Sequence, residues 1–177
     1  MNATGFPTQG FMQMCWVVPD LHSAVNQWVK QTGVGPFFLF ETVAFDNPVY
    51  RGSPTECPNI SAAMAQAGDV QIELVCQNDD RPSFWRDLVP AGASGLHHMA
   101  LYCEDYDATL AAYTASGLEV AFSGLMMGAN VCWIDASKTL GFMIELIQSN
   151  PTADAVFGSF RQAAAGWDGK NPLRTLG

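Results

Sequence analysis

Gln13-Met-Cys-Trp-Val-Val-Pro-Asp20-Leu-His-Ser-Ala-Val25 and His98-Met-Ala-Leu-Tyr-Cys-Glu-Asp105-Tyr-Asp-Ala-Thr-Leu110 are two versions of one phrase. Each opens on a polar residue, runs through an apolar stretch, reaches an Asp seven positions on and continues with helical spacing. The opening residues and the two Asp are both offset by 85 positions. The helical stretches stop at Gly33 and Gly117, offset by 84. The phrase Ile72-Glu73-Leu74-Val75 then returns as Ile144-Glu145-Leu146-Ile147, offset by 72. Three matches in one order indicate a duplicated module, and a repeat decides the architecture before any single element does.

Inside each module the pattern is strand, helix, then three strands. Residues 11–18 and 96–103 are rich in apolar and aromatic residues, as strands are. Asp20 and Asp105 stand where an N-cap side chain accepts the first free helix N–H groups. Residues 21–31 and 106–116 then carry apolar side chains at helical spacing: Leu21, Val25, Trp28 and Val29; Leu110, Ala111 and Tyr113. Gly33 and Gly117 supply the left-handed position that ends a helix. Strand-like sequence follows at 36–44, 59–66 and 70–76, and again at 118–125, 130–135 and 142–148. The fold class is α+β, with two tandem βαβββ modules in a single domain over 1–177. Module one spans about 11–77 and module two about 96–150. The connection, about 78–95, predicts a short helix from Pro82 or Ser83 and a small-residue linker at 91–95. The tail, about 151–177, predicts a helix over 152–165 with Val156, Phe157 and Phe160 on one face.

Composition narrows the function classes. A chain of 177 residues buries roughly 70% of its unfolded surface and needs no staples. Only 14% of its residues are charged, against roughly 25% in an average soluble protein. So little charge implies an oligomer interface, an apolar cavity, or both. The net charge of −9 argues against nucleic acid and against anionic membranes as partners. No Lys or Arg precedes Lys30, so a signal peptide's basic region is missing, and no apolar run is long enough to span a bilayer. The five cysteines form no CxxC, and four sit in or beside apolar runs, where Cys acts as a small buried hydrophobe. A cytoplasmic protein with a small-molecule substrate is expected.

Side chains alternate across a strand, so Gln13, Cys15 and Val17 share one face. Glu73 and Glu145 project opposite to their Ile and Leu neighbours, and each interrupts an apolar strand, as His98 does. A carboxylate buried without a partner is costly. Singly, each Glu also fits a half-exposed strand; together, at equivalent positions of a repeat, they call for a shared cation. A divalent metal held by Gln O, His N and two Glu O atoms meets that need.

Here the chain resembles a family. The double βαβββ pattern, the VVPDL step at 17–21, the GLHH start at 95–98 and the two IEL phrases are similar to the vicinal oxygen chelate superfamily, most of all its glyoxalase-like and methylmalonyl-CoA epimerase-like branch. The resemblance covers roughly residues 11–150. It implies that the modules curl into a half-open mixed β-barrel, the glyoxalase/bleomycin resistance/dioxygenase fold, around one divalent metal per chain. Zn, Co, Ni, Mn and Mg are not distinguished. The first and last strand of each module would supply the ligands, which fall on Gln13, Glu73, His98 and Glu145. His98 is preferred to His97 because it lies seven residues before Asp105; His97 then points to the opposite face as a packing or supporting residue. Glu145, with Glu73 as the symmetric alternative, would be the catalytic base.

Gln at the first position makes the set similar to that of eukaryotic glyoxalase I. It departs from the two-His, one-carboxylate set of extradiol dioxygenases. Basic residues for glutathione carboxylates near the first strand are missing, which disfavours methylglyoxal detoxification. Arg51 is a candidate for a substrate carboxylate, because its planar fork fits one, or else a salt-bridge residue. Glu56 lies in the loop where epimerase relatives carry an additional carboxylate base. Met126 and Trp133, with Met127 and Phe122 beside them, are candidate pocket wall or core. Trp28, Trp85, Phe157, Phe160 and Trp167 fall beyond the expected barrel core and predict apolar surface covered in a homodimer. The activity implied is that of a metal-dependent isomerase, epimerase or lyase. It would take a proton next to a metal-bound carbonyl of a small oxo-acid, acyl or thioester substrate. The alternative is a non-catalytic small-molecule binding protein of the bleomycin-resistance type.

Overall fold

In a computed structural model, which describes residues 10–175, both copies of the repeated phrase fold alike. Residues 1–9 and 176–177, the ends of the domain expected over 1–177, lie outside the described residues. Strand β1 (Gln13–Val17) leads into helix α1 (Leu21–Thr32), where Asp20 Oδ1 accepts from the Ser23 N–H at 2.6 Å. Gly33 ends the helix at φ 71°. Module one continues with β2 (Phe37–Phe40), β3 (Asp46–Tyr50), β4 (Ser53–Pro54), β5 (Ile60–Ala67) and β6 (Val70–Gln77). Helix α2 (Phe84–Leu88), capped by Ser83, bridges to β7 (Gly95–Cys103). Helix α3 (Tyr106–Ala115) repeats the first cap, Asp105 Oδ1 accepting from the Ala108 N–H at 3.0 Å. Strands β8 (Glu119–Met126) and β9 (Ala129–Asp135), helix α4 (Ser137–Leu140), β10 (Met143–Gln148), helix α5 (Pro151–Ala164) and β11 (Leu173–Thr175) complete the chain.

All eleven strands join in one mixed sheet, ordered β11-β2-β5-β6-β1-β7-β10-β9-β8-β3-β4, which does not close into a barrel. The two modules meet where β1 and β7 run antiparallel, each flanked by a parallel last strand, β6 and β10. The register obeys the repeat. Gln13 lies opposite Ala100 and Cys15 opposite His98. Cys15 also pairs with Glu73, as its equivalent Ala100 pairs with Glu145. Helix α1 covers one face of module one with Leu21, Ala24 and Val25, and α3 covers the matching face of module two with Tyr106 and Tyr113. The opposite face is a single cluster shared by both modules, into which α2 inserts Phe84 and Trp85 and α5 inserts Phe157 and Phe160.

Four elements depart from the sequence reading: β3, β4, α4 and β11. Residues 46–50, to which the sequence reading gives no strand, belong to one that leaves module one to pair with β8 of module two, with a register shift between Asp46 and Val49. Pro is tolerated there because the strand is near the sheet edge and bulged. Trp85, Phe157 and Phe160, expected as surface for a dimer to cover, are instead at most 4% exposed inside the chain's own core. Phe160 stacks on Phe38 at 5.1 Å between ring centroids. The large apolar residues exposed among those described are Phe11, Met127 and Leu140. No described helix is long and apolar enough to cross a membrane.

Because the two caps serve separate helices in equivalent places, Asp20→Ala and Asp105→Ala are each expected to cost about 1 kcal/mol. The double variant should cost their sum. Denaturant unfolding of the three variants checks this.

A buried carboxylate and imidazole centre

The central strands deliver four polar side chains to the shared face: Gln13 on β1, Glu73 on β6, His98 on β7 and Glu145 on β10. They are 2%, 7%, 0% and 3% exposed. His98 Nε2 lies 2.9 Å from Glu145 Oε2 and 3.4 Å from Glu73 Oε2. His98 Nε2 and Glu145 Oε2 nevertheless lack a hydrogen bond of proper geometry. Gln13 turns its amide aside, Nε2 donating to Gln71 Oε1 at 3.3 Å.

The state of His98 follows from its neighbour. Across β1 the register steps from Cys15 opposite His98 to Trp16 opposite Leu96, so His97 is the extra residue of a β-bulge. Strict alternation predicted that His97 faces away. The bulge instead lets both rings meet, with Nδ1 to Nδ1 at 3.0 Å. His97 Nε2 lies 3.1 Å from the Phe84 carbonyl, which only accepts, so that nitrogen carries the proton. His97 Nδ1 is then an acceptor, and it meets the Nδ1–H of His98 in the tautomer that leaves the lone pair of His98 Nε2 aimed at two carboxylates. Trp133 Nε1, 3.2 Å from the same His98 Nδ1, donates there when His98 carries its proton on Nε2. Trp85 packs over His97 at 4.5 Å between ring centroids and seals the pair from water.

A lone pair facing two carboxylate oxygens repels them unless a cation stands between. With a proton in that role, burial opposes the His98 charge, but Glu145 and then Glu73 outweigh it and raise the imidazole from its ordinary 6.5 to about 9. Burial, and the charge of His98, push His97 well below its ordinary value. Burial and Glu73 push the Cys15 thiol up. A divalent metal fits the same place. The donors are borderline-hard N and O atoms, the orphaned ones point together, and His97 Nδ1 offers an acceptor to the Nδ1–H that His98 carries in the ligating tautomer.

A cavity of about 170 Å³ opens beside this centre, lined by Gln13, Glu73 and Glu145 and walled by Phe40, Val43, Met64, Met126, Met127 and Phe157 among others. The structure therefore gathers Gln13, Glu73, Glu145 and Met126 at one cavity, with His98 behind them. Trp133 sits beneath His98 rather than on the cavity wall. Arg51 and Glu56 are elsewhere. Asp87 and Asp135 each hold the Arg51 guanidinium at 2.7 Å, and Glu56 pairs with Arg81 at 2.6 Å. These ion pairs engage both side chains, and neither residue lines the cavity.

Sequence reasoning missed the direction of His97, the carbonyl of Phe84 and the placement of Cys15 at the centre. The part played by His97 depends on a bulge that no local pattern announces. Phe84 contributes a carbonyl, which any residue carries. Cys15 was legible, two positions after Gln13 on the same face, but was read as core.

A duplicated module with a buried carboxylate and imidazole centre on its middle strands is a recognised class. The model of the Glyoxalase/Bleomycin resistance protein/Dioxygenase superfamily matches residues 12–134, and the chain belongs to that superfamily. Among solved structures, methylmalonyl-CoA epimerase from Mycobacterium tuberculosis is 20% identical, with 88% of this chain and 97% of that chain covered and a TM-score of 0.58. A hypothetical protein from Bacillus halodurans is 12% identical, with coverage of 81% and 96% and a TM-score of 0.59. A Streptomyces coelicolor methylmalonyl-CoA epimerase in complex with 2-nitronate-propionyl-CoA is 17% identical, with coverage of 81% and 96% and a TM-score of 0.55. At these identities the likeness is one of fold. No curated protein matches the chain.

The two shifted imidazoles set the pH dependence of the metal-stripped protein. Above pH 6.5 the unfolded chain has lost the proton that folded His98 keeps to about 9, so stability falls as pH rises across that window. Below 6.5 the unfolded chain takes up a proton that folded His97 refuses, so stability also falls as pH drops. Urea midpoints measured in chelator should fall as pH rises from 6.5 toward 9 and as it drops below 6.5, and His97→Gln should weaken the acid limb.

Proposed function

We propose that the chain is a metal-dependent isomerase, epimerase or lyase that removes a proton from the carbon beside a carbonyl. The observation that carries this reading is the pair of buried carboxylates, Glu73 and Glu145, that flank the imidazole and also open onto an apolar cavity. Gln13, Glu73, His98 and Glu145 would hold the metal. When bound, it polarises a substrate carbonyl and lowers the cost of taking the neighbouring proton. Glu145 is the first choice as base because it reaches the cavity and keeps His98 at its back; Glu73 is its symmetric alternative. Apolar walls exclude water from the proton-transfer path, and Met64, Met126 and Met127 give them an adaptable surface.

The cavity also constrains the substrate. None of its lining residues is Lys or Arg, so an anionic group on the substrate must meet the metal or stay outside. At about 170 Å³ it is smaller than the roughly 300–1,000 Å³ of drug-sized pockets, which suits a short oxo-acid or acyl group. The fold likeness to methylmalonyl-CoA epimerases favours epimerase-type chemistry, in which the thioester arm lies outside and the acyl end enters. A binding protein without turnover is the competing reading, and the carboxylates open to the cavity weigh against it. A homodimer in the cytoplasm remains part of the proposal.

Two measurements test this. Elemental analysis should find one divalent metal per chain, lost in Glu73→Ala and Glu145→Ala; a protein that takes up none of Zn, Co, Ni, Mn or Mg overturns the reading. Deuterium exchange in D2O, followed by NMR across methylmalonyl-CoA, short 2-oxo acids and 2-hydroxy ketones, should reveal labelling beside the carbonyl of one class. Glu145→Gln, which can ligate but not take a proton, should keep much of the metal and slow exchange roughly 100- to 10,000-fold.

A further inference from the structure

Repeat symmetry accounts for the placement of every donor at the centre except one. The register that sets Cys15 of β1 opposite His98 sets its equivalent, Ala100 of β7, opposite Gln13. Where module two offers a methyl group, module one offers a thiol. Cys15 is fully buried, and one ligand atom each from Cys15, Glu73 and His98 lie within 4.8 Å of one another. A single ion bonded at about 2.0–2.3 Å to each spans that separation after a small inward movement. No other described cysteine belongs to such a cluster. Independently, His98 Nε2 and Glu145 Oε2 are buried, lack hydrogen-bond partners and lie at the same place. The Gln13 amide, in contrast, is engaged with Gln71 and faces the cavity.

We propose that Cys15 is a thiolate ligand of the metal at this centre, taking beside Glu73, His98 and Glu145 the place assigned above to Gln13, and that Gln13 is left free to meet substrate. On coordination the Cys15 S–H bond breaks, one metal–sulfur bond forms and one proton is released to water. Nothing is oxidised or reduced. A thiolate in the set favours Zn or Co over Mg or Mn, a choice that an all-N/O set does not make. This inference rests on the metal-dependent reading of the centre, and its test separates the two.

Metal-free protein is titrated with Co(II) and followed by electronic absorption. Wild type and Cys57→Ser should both develop a near-ultraviolet thiolate-to-cobalt charge-transfer band at one equivalent. Cys15→Ser should still bind Co(II), at least tenfold more weakly, without that band. X-ray absorption at the cobalt edge of the wild type, which needs no variant, should find one sulfur neighbour near about 2.3 Å. Uptake of Co(II) with no band and no sulfur neighbour overturns the ligand assignment and leaves the metal-dependent function standing. A band that persists in Cys15→Ser or Cys15→Ala overturns the assignment in the same way. No uptake by wild type overturns both.

Discussion

Glu73 and Glu145 enter a dry region of sheet from two strands, and the protein sets one imidazole against their two negative charges. Buried charge left without compensation costs several kcal/mol per ion, so much of the surrounding structure serves to hold a positive group there. The bulge on β7 turns His97 toward His98; the carbonyl of Phe84 fixes which nitrogen of His97 holds its proton; and the Ser83 cap, accepting from Arg86 N at 3.2 Å, starts the short helix that presents that carbonyl. Trp85 and Trp133 close the remaining sides. A chain of three contacts thus runs from a helix cap to the imidazole that faces both carboxylates.

Duplication built the frame, and departures from it specialise the centre. Pairing β1 with β7 exchanges the modules, so a polar first-strand residue and a last-strand Glu each occur twice by construction. Two departures matter chemically. Gln13 stands where module two has His98, which lowers the nitrogen content of the site. Cys15 stands where module two has Ala100, which adds sulfur. A third departure is architectural: α5 follows only module two, and its Phe157 walls the cavity, so the centre is covered on one side by a segment outside the repeat.

What the sequence made legible were features written in local chemistry and repeated. The caps at Asp20 and Asp105, the glycine stops and the two IEL strands are short-range signals, and each found its place within a residue or two. Because register follows from the repeat, the gathering of Glu73, His98 and Glu145 was legible as well. Less legible were features set by partners distant in sequence. Strand β3 exists because β8 offers it an edge, not because Asp-Asn-Pro favours extension. Arg51 reads as either a substrate or a salt-bridge residue, and its carboxylate partners, Asp87 and Asp135, are brought to it only by the fold. Trp85, Phe157 and Phe160 read as surface because their partners, Phe38, Tyr102 and the His pair, come from strands far along the chain.

The excursion of β3 and β4 knots the two copies together in a way that a simple tandem repeat does not. Tyr50, from the first copy, pairs with Phe122 of the second, and the Arg51 N–H donates to the Ala121 carbonyl at 2.9 Å. Each copy therefore lacks part of its own sheet until the other has folded. Severing the chain in the 91–95 linker would yield two incomplete fragments rather than two small domains, and neither could drift from its partner during evolution without a compensating change. The strap also adds a pairing between residues 72 apart in sequence, Tyr50 with Phe122, near the edge of the sheet, so loop closure must be met before the second module's sheet is finished, a route that favours slow, cooperative assembly.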